Sequence, residues 1–165
     1  MYKFVIAKLR DGNVIYVNFI SSSAGHYLSR QPYVIALVKE LLTAKKLRGE
    51  RIVIEQDMGR TIGKTDIVAT SEKDIIYYAR PVKSDVFSRF AKNRYPQSSN
   101  KLTIIVVQDT DGNYEVSDAW IGPNCPAFPG DEYETIESKE YWQSHALVQD
   151  AQAIQSRSIT KTCPY

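Results

Sequence analysis

The residues that most often carry chemistry are scarce in this chain. It has two histidines and two cysteines in 165 residues. The cysteines, Cys125 and Cys163, are far apart and each precedes a proline. Two such residues cannot hold zinc alone, and one bridge would not be a disulfide framework, so they read as reduced thiols. With one histidine nearby and no matching carboxylate spacing, no metal or other cofactor is expected. No apolar run approaches the roughly 18 residues of a membrane helix. The opening Met1–Lys8 lacks a signal peptide's small-residue cleavage site. A cytoplasmic protein without a membrane partner is therefore expected. There is no Gly-x-Ser-x-Gly elbow, no credible Ser/His/Asp triad and no low-complexity tract.

The stretch Gly59–Thr65 resembles a phosphate loop but lacks its geometry. Three residues, not four, separate Gly59 from Gly63-Lys64-Thr65, and Met58 stands where glycine is required. The next residues, Asp66-Ile67-Val68, read as a strand where a helix is needed. The glycines are expected to shape a tight loop from which Arg60 and Lys64 project.

What is present is an ordinary globular composition, 43% hydrophobic and 24% charged. The net charge of +2 hides an uneven distribution: residues 80–101 carry six Lys/Arg against one acid, and residues 102–165 carry three against ten. Two β-rich runs, Tyr2–Leu9 and Val14–Ile20, flank Asp11-Gly12 and predict a hairpin. Leu102–Gln108 and Tyr114–Trp120 predict a second around Asp111-Gly112. Pro32–Arg48 reads as an amphipathic helix with Val34, Leu37, Val38, Leu41 and Leu42 on one face. Arg51–Glu55, Asp66–Thr70 and Asp74–Arg80 read as strands. Ser84 to about Arg94 reads as a short helix capped by Ser84, and Ser138 opens a last one containing Tyr141, Trp142 and His145. The fold class is α+β, a mostly antiparallel sheet with about three packed helices. A single domain is expected over residues 1–150, with a hairpin and helix in 1–50 and a core in 51–150, followed by a polar tail at 151–165.

The basic block comprises Arg80, Lys83, Arg89, Lys92, Arg94 and Lys101. On a helix Arg89 and Lys92 share a face, either as a phosphate-binding surface or as an ordinary solvated face. His145 reads either as a proton shuttle or as a hydrogen-bonded structural residue. Trp120, Trp142, Tyr77 and Tyr141 form either a small-molecule pocket or an aromatic core.

Segments between residues 52 and 149 resemble a family of small, largely uncharacterised prokaryotic proteins. They are Asp57–Gly63, Ile76–Arg80, Phe87–Arg94, Leu102–Val107, Asp118–Pro123, Pro126–Asp131 and Tyr141–Val148. The order of elements also resembles the superfamily of barnase, colicin ribonucleases and RelE-type toxins. That resemblance implies an RNA-binding, metal-independent endoribonuclease, toxin-like or RNA-processing. It would place His145 as acid or base, with Arg89 and Lys83 beside it. Arg60, Lys64, Lys92, Arg94 and Thr103 would contact phosphate. The competing expectation is a non-enzymatic interaction module whose basic and acidic faces are complementary, within the molecule, between copies or toward a protein partner.

Overall fold

A computed structural model describes residues 3–82 and 84–165. The chain is α+β, and it divides into two compact units where the sequence reads as one domain. The first unit is residues 1–63 with 99–124; the second is 64–98 with 125–165.

The first unit is built on two hairpins. β1 (Lys3–Lys8) pairs antiparallel with β2 (Val14–Asn18), and β9 (Lys101–Gln108) with β10 (Tyr114–Ile121). β10 lies parallel to β2, and β3 (Arg51–Asp57) closes the far edge against β9, giving the order β1-β2-β10-β9-β3. The two Asp-Gly turns therefore lie at the same end of the sheet. The Asn113 side chain joins them, its Oδ1 accepting the Val14 amide at 3.0 Å. Positive φ at Gly12 (90°) and Gly112 (84°) supplies what these turns require.

Two helices, α1 (Ser23–Arg30) and α2 (Val34–Thr43), bury one face of this sheet. Leu28, Val34, Val38 and Leu42 meet Ile15, Val17, Leu102, Ile104 and Val106. α1 occupies the stretch around Ser21-Ser22-Ser23-Ala24-Gly25, whose small residues read from sequence as a break after the first hairpin. Ser22 caps it, its Oγ accepting the Gly25 amide at 2.9 Å. Gly25 is there because the helix presses onto the backbone of Asn18 and Phe19, leaving no room for a Cβ. α2 is shorter than the periodicity predicts, ending at Thr43.

The second unit carries a sheet of order β5-β11-β7-β6. Its strands are β5 (Ile67–Ala69), β6 (Ile76–Ala79), β7 (Ser88–Ala91) and β11 (His145–Val148). β11 runs parallel to β7, and the other pairs are antiparallel. The segment predicted as a helix over 84–94 is thus corrected to a central strand. All four residues of β7 are buried, and pairing to both β6 and β11 outweighs local helical propensity. α3 (Ser138–Ser144) leads directly into β11. β4 (Gly63–Thr65) and β8 (Gln97–Ser99) pair as a separate two-stranded ribbon.

The polar stretch after residue 150 is fastened as a strap on β6. Isolated bridges join Tyr78 to Thr160 and Pro81 to Ile154. Gln155 Nε2 donates to the carbonyls of Pro81 and Ser84, and Ser158 Oγ accepts the Arg80 amide.

Candidate functional site

The residues singled out from sequence are distributed over both units and do different work. Arg89, on β7, is only 9% exposed. Its Nη1 donates to Thr70 Oγ1 at 2.8 Å and to the His145 carbonyl at 2.9 Å. Its Nε is buried without a hydrogen-bond partner among the described residues. The guanidinium therefore ties β7 to the start of β11. The expectation that it shares a helical face with Lys92 is corrected: the segment is a strand, with Arg89 inside and Lys92 exposed.

His145 stands at the junction of α3 and β11. Its ring lies flat on Tyr141, with centroids 3.9 Å apart and planes 4° apart. Nδ1 lies 3.1 Å from the Tyr141 carbonyl and 3.0 Å from Ser144 Oγ. A carbonyl can only accept, so Nδ1 donates to it, and in the neutral ring the lone pair is then on Nε2. Nε2 makes no hydrogen bond among the described residues.

The remaining cations are mostly paired. Arg94 bonds to the Ala69 carbonyl and to Asp74, 3.2 Å away. The Ser71 amide, and after it Arg94, hold the Asp74 carboxyl below its ordinary pKa. Arg80 lies over the Phe87 ring. In the first unit, Arg60 pairs with Glu40 at 2.9 Å and Lys101 with Glu55 at 3.1 Å. Thr103 is fully buried there and donates its hydroxyl to the Gly122 carbonyl at 2.9 Å. That is incompatible with the phosphate contact expected of it. Lys64 and Lys92 are exposed. Lys83 lies outside the described residues.

Nor does the basic block form one charged unit. Divided along the fold, the second unit holds ten Lys/Arg and ten Asp/Glu, because most of the acidic C-terminal third folds with the basic segment. The aromatics divide likewise. Trp142 is buried, stacked on Phe128 and bonded through Nε1 to the Pro126 carbonyl at 3.0 Å. Trp120 bonds the Pro123 carbonyl at 2.9 Å. These rings hold the proline-rich loop.

Among the described residues, two open grooves stand out. In the second unit, Arg80, Asp85, Phe87, Glu134, Lys139 and Tyr165 line one of about 410 Å³, with both signs of charge. In the first unit, a groove of about 430 Å³ runs between β1 and α2. Phe4, Val5, Ile6, Pro32, Ile35 and Ala36 line it, with Lys39 as its charged residue. Phe4 is 45% exposed and Val5 47%. Sequence reasoning missed this groove. Its signal was present in the apolar run of β1, whose excess apolar face a single antiparallel neighbour does not cover.

Among the described residues no helix is long and apolar enough to cross a membrane. No protein-family model matches the chain, and no curated protein or solved structure shows significant similarity to it.

Proposed function

We propose that this protein is a non-enzymatic interaction module that binds another protein along the β1 edge of its first unit. The observation that carries this reading is the apolar groove between β1 and α2, bordered by a strand that among the described residues has a neighbour on one side only. Exposed apolar residues that are contiguous, and not scattered singly, mark contact surfaces. The charge balance of the second unit supports the same reading, since basic and acidic segments that fold together give no net polyanion-binding charge. Selection from a random peptide library tests it. Wild-type protein should enrich peptides that the Phe4→Asp/Val5→Asp variant does not retain; equal enrichment by both removes the reading.

A second reading, RNA binding with metal-independent endoribonuclease activity, is favoured by one observation. The His145 ring is held flat on Tyr141 through stacking and its Nδ1 contacts, and its Nε2 makes no hydrogen bond among the described residues, as a general base requires. It predicts RNA cleavage that persists in EDTA and is lost in His145→Ala. Intact RNA after incubation with wild-type protein at low salt would eliminate the catalytic part.

A further inference from the structure

The interaction reading leaves the partner's chemistry unassigned, and the lining of the groove speaks to it. We infer that the β1 groove takes an extended peptide segment whose apolar residues are flanked by Asp or Glu. This inference rests on the interaction reading above.

The backbone supplies the first reason. β1 pairs with β2 alone, so its other edge offers peptide groups that no strand among the described residues meets. Such an edge is a template for an added strand, which satisfies those groups at regular spacing. The floor supplies the second. Phe4, Ile6 and Ile35 form an apolar trough beside that edge, where alternate side chains of an extended segment can be buried.

The charges supply the third and select the occupant. Lys3 and Lys8 are on β1, and Lys39 lines the groove from α2. Lys8 and Lys39 are exposed and form no ion pair among the described residues. Lys3 rests over the Tyr16 ring, with its ammonium 4.7 Å from the centroid. Among the described residues no carboxylate lines the groove. Glu40, the acid on α2, is paired with Arg60. A second copy of β1 would bring its own lysines to this edge, and like charges across a strand pair are destabilising. The bulge between Val5 and Ala7 further blunts copy-to-copy pairing. An acidic segment added along this edge meets Lys39 at the groove and Lys8 at the end of β1, neither in an ion pair among the described residues, which favours it both in encounter and in register.

Two fluorescein-labelled peptides test the assignment by polarisation. One has four alternating valines and isoleucines with two glutamates at each end, and the other has lysines in place of the glutamates. The glutamate peptide should bind, and the Lys8→Glu/Lys39→Glu variant should weaken it by about 10-fold, both substitutions being on the surface. The lysine peptide should bind the wild type at least about 10-fold more weakly, and its preference should reverse in the variant. Equal binding of both peptides, or binding indifferent to the lysine substitutions, overturns the acidic assignment. If Phe4→Asp/Val5→Asp still abolishes that binding, the interaction reading survives. If neither peptide binds but library selection succeeds at the groove, the acidic assignment again falls alone. Failure of both assays removes both.

Discussion

The two units are stabilised by different means. Among the described residues the first buries eighteen hydrophobic side chains and two polar ones, Ser22 and Thr103. The second buries nine hydrophobic residues and four polar ones, Thr65, Ser88, Arg89 and Ser138. In the first, two helices cover a sheet face with Leu, Ile and Val, so apolar burial dominates. In the second, β7 is clamped by a buried guanidinium, α3 is anchored through Trp142, and the strap is sewn to β6 by backbone and amide bonds. Such groups contribute modestly when satisfied and cost much when one partner is removed. The lesson is that similar secondary structure in one chain does not imply similar sensitivity to mutation.

The sharpest way to break the comparison is to open a cavity in the first unit. Ile104 is fully buried at the centre of β9. Ile104→Ala should cost about 2–5 kcal/mol in chemical denaturation, and a loss under about 1 kcal/mol would mean the first unit is not held by its apolar core. Next is the second unit's clamp. Arg89→Ala strips the Thr70 hydroxyl and His145 carbonyl of their donor, and should cost about 1–3 kcal/mol. Hydrogen exchange should then rise in β7 and β11 before it rises in β9. An equal rise in both sheets would erase the distinction. A smaller loss, about 1 kcal/mol, is expected for Asn113→Ala, which frees the Val14 amide and unlinks the two hairpin turns. Exchange at the Val14 amide is the direct readout.

The smallest effect is one of pH. Asp74 is held below its ordinary pKa by the Ser71 amide and Arg94. Its folded-state pKa is depressed, so its contribution is fully present above the ordinary carboxylate range and is lost as pH falls through the lowered value. Denaturation midpoints of wild type and Asp74→Asn should therefore differ at neutral pH and converge in acid. A gap that stays constant down to acid pH would show that Asp74 does not act through its charge. Tyr16 offers the alkaline counterpart in the first unit. Burial, then its bond to Asp109, pushes its phenol up to about 12.

Much of the first unit was legible from sequence because its signals are local. Asp-Gly turns between β-rich runs specify hairpins, and the 3.6-residue periodicity of Val34 to Leu42 specifies α2. α1 was obscured because Ser22 and Gly25 resemble a loop, although one caps the helix and the other lets it approach the backbone of Phe19. β7 was illegible for a different reason. Ser88–Ala91 is too short to show a period, and its strand identity comes from β6 and β11, which lie at other places in the chain. The misreading of Arg89 has the same origin. A cation in a basic segment looks like surface, and only the carbonyl of His145, 56 residues away, shows what it holds. His145, read as part of the last helix, is instead the first residue of β11, just past the end of α3, and the stacking that fixes its ring is not a property of spacing alone.

The interleaving of the units has a consequence for the order in which the chain can fold during synthesis. The first unit's sheet lacks two of its three inner strands until residue 121 has been made, because β9 and β10 come after the whole 64–98 segment. The second unit waits longer still. β11, which joins β5 to β7, spans His145–Val148. At the usual pace of roughly 5–20 residues per second, several seconds separate β2 from the strand it must pair with. During that interval the apolar runs of β1, β2 and α2 emerge without their cover. The nascent chain therefore exposes a second strand edge, that of β2, which the finished sheet closes with β10.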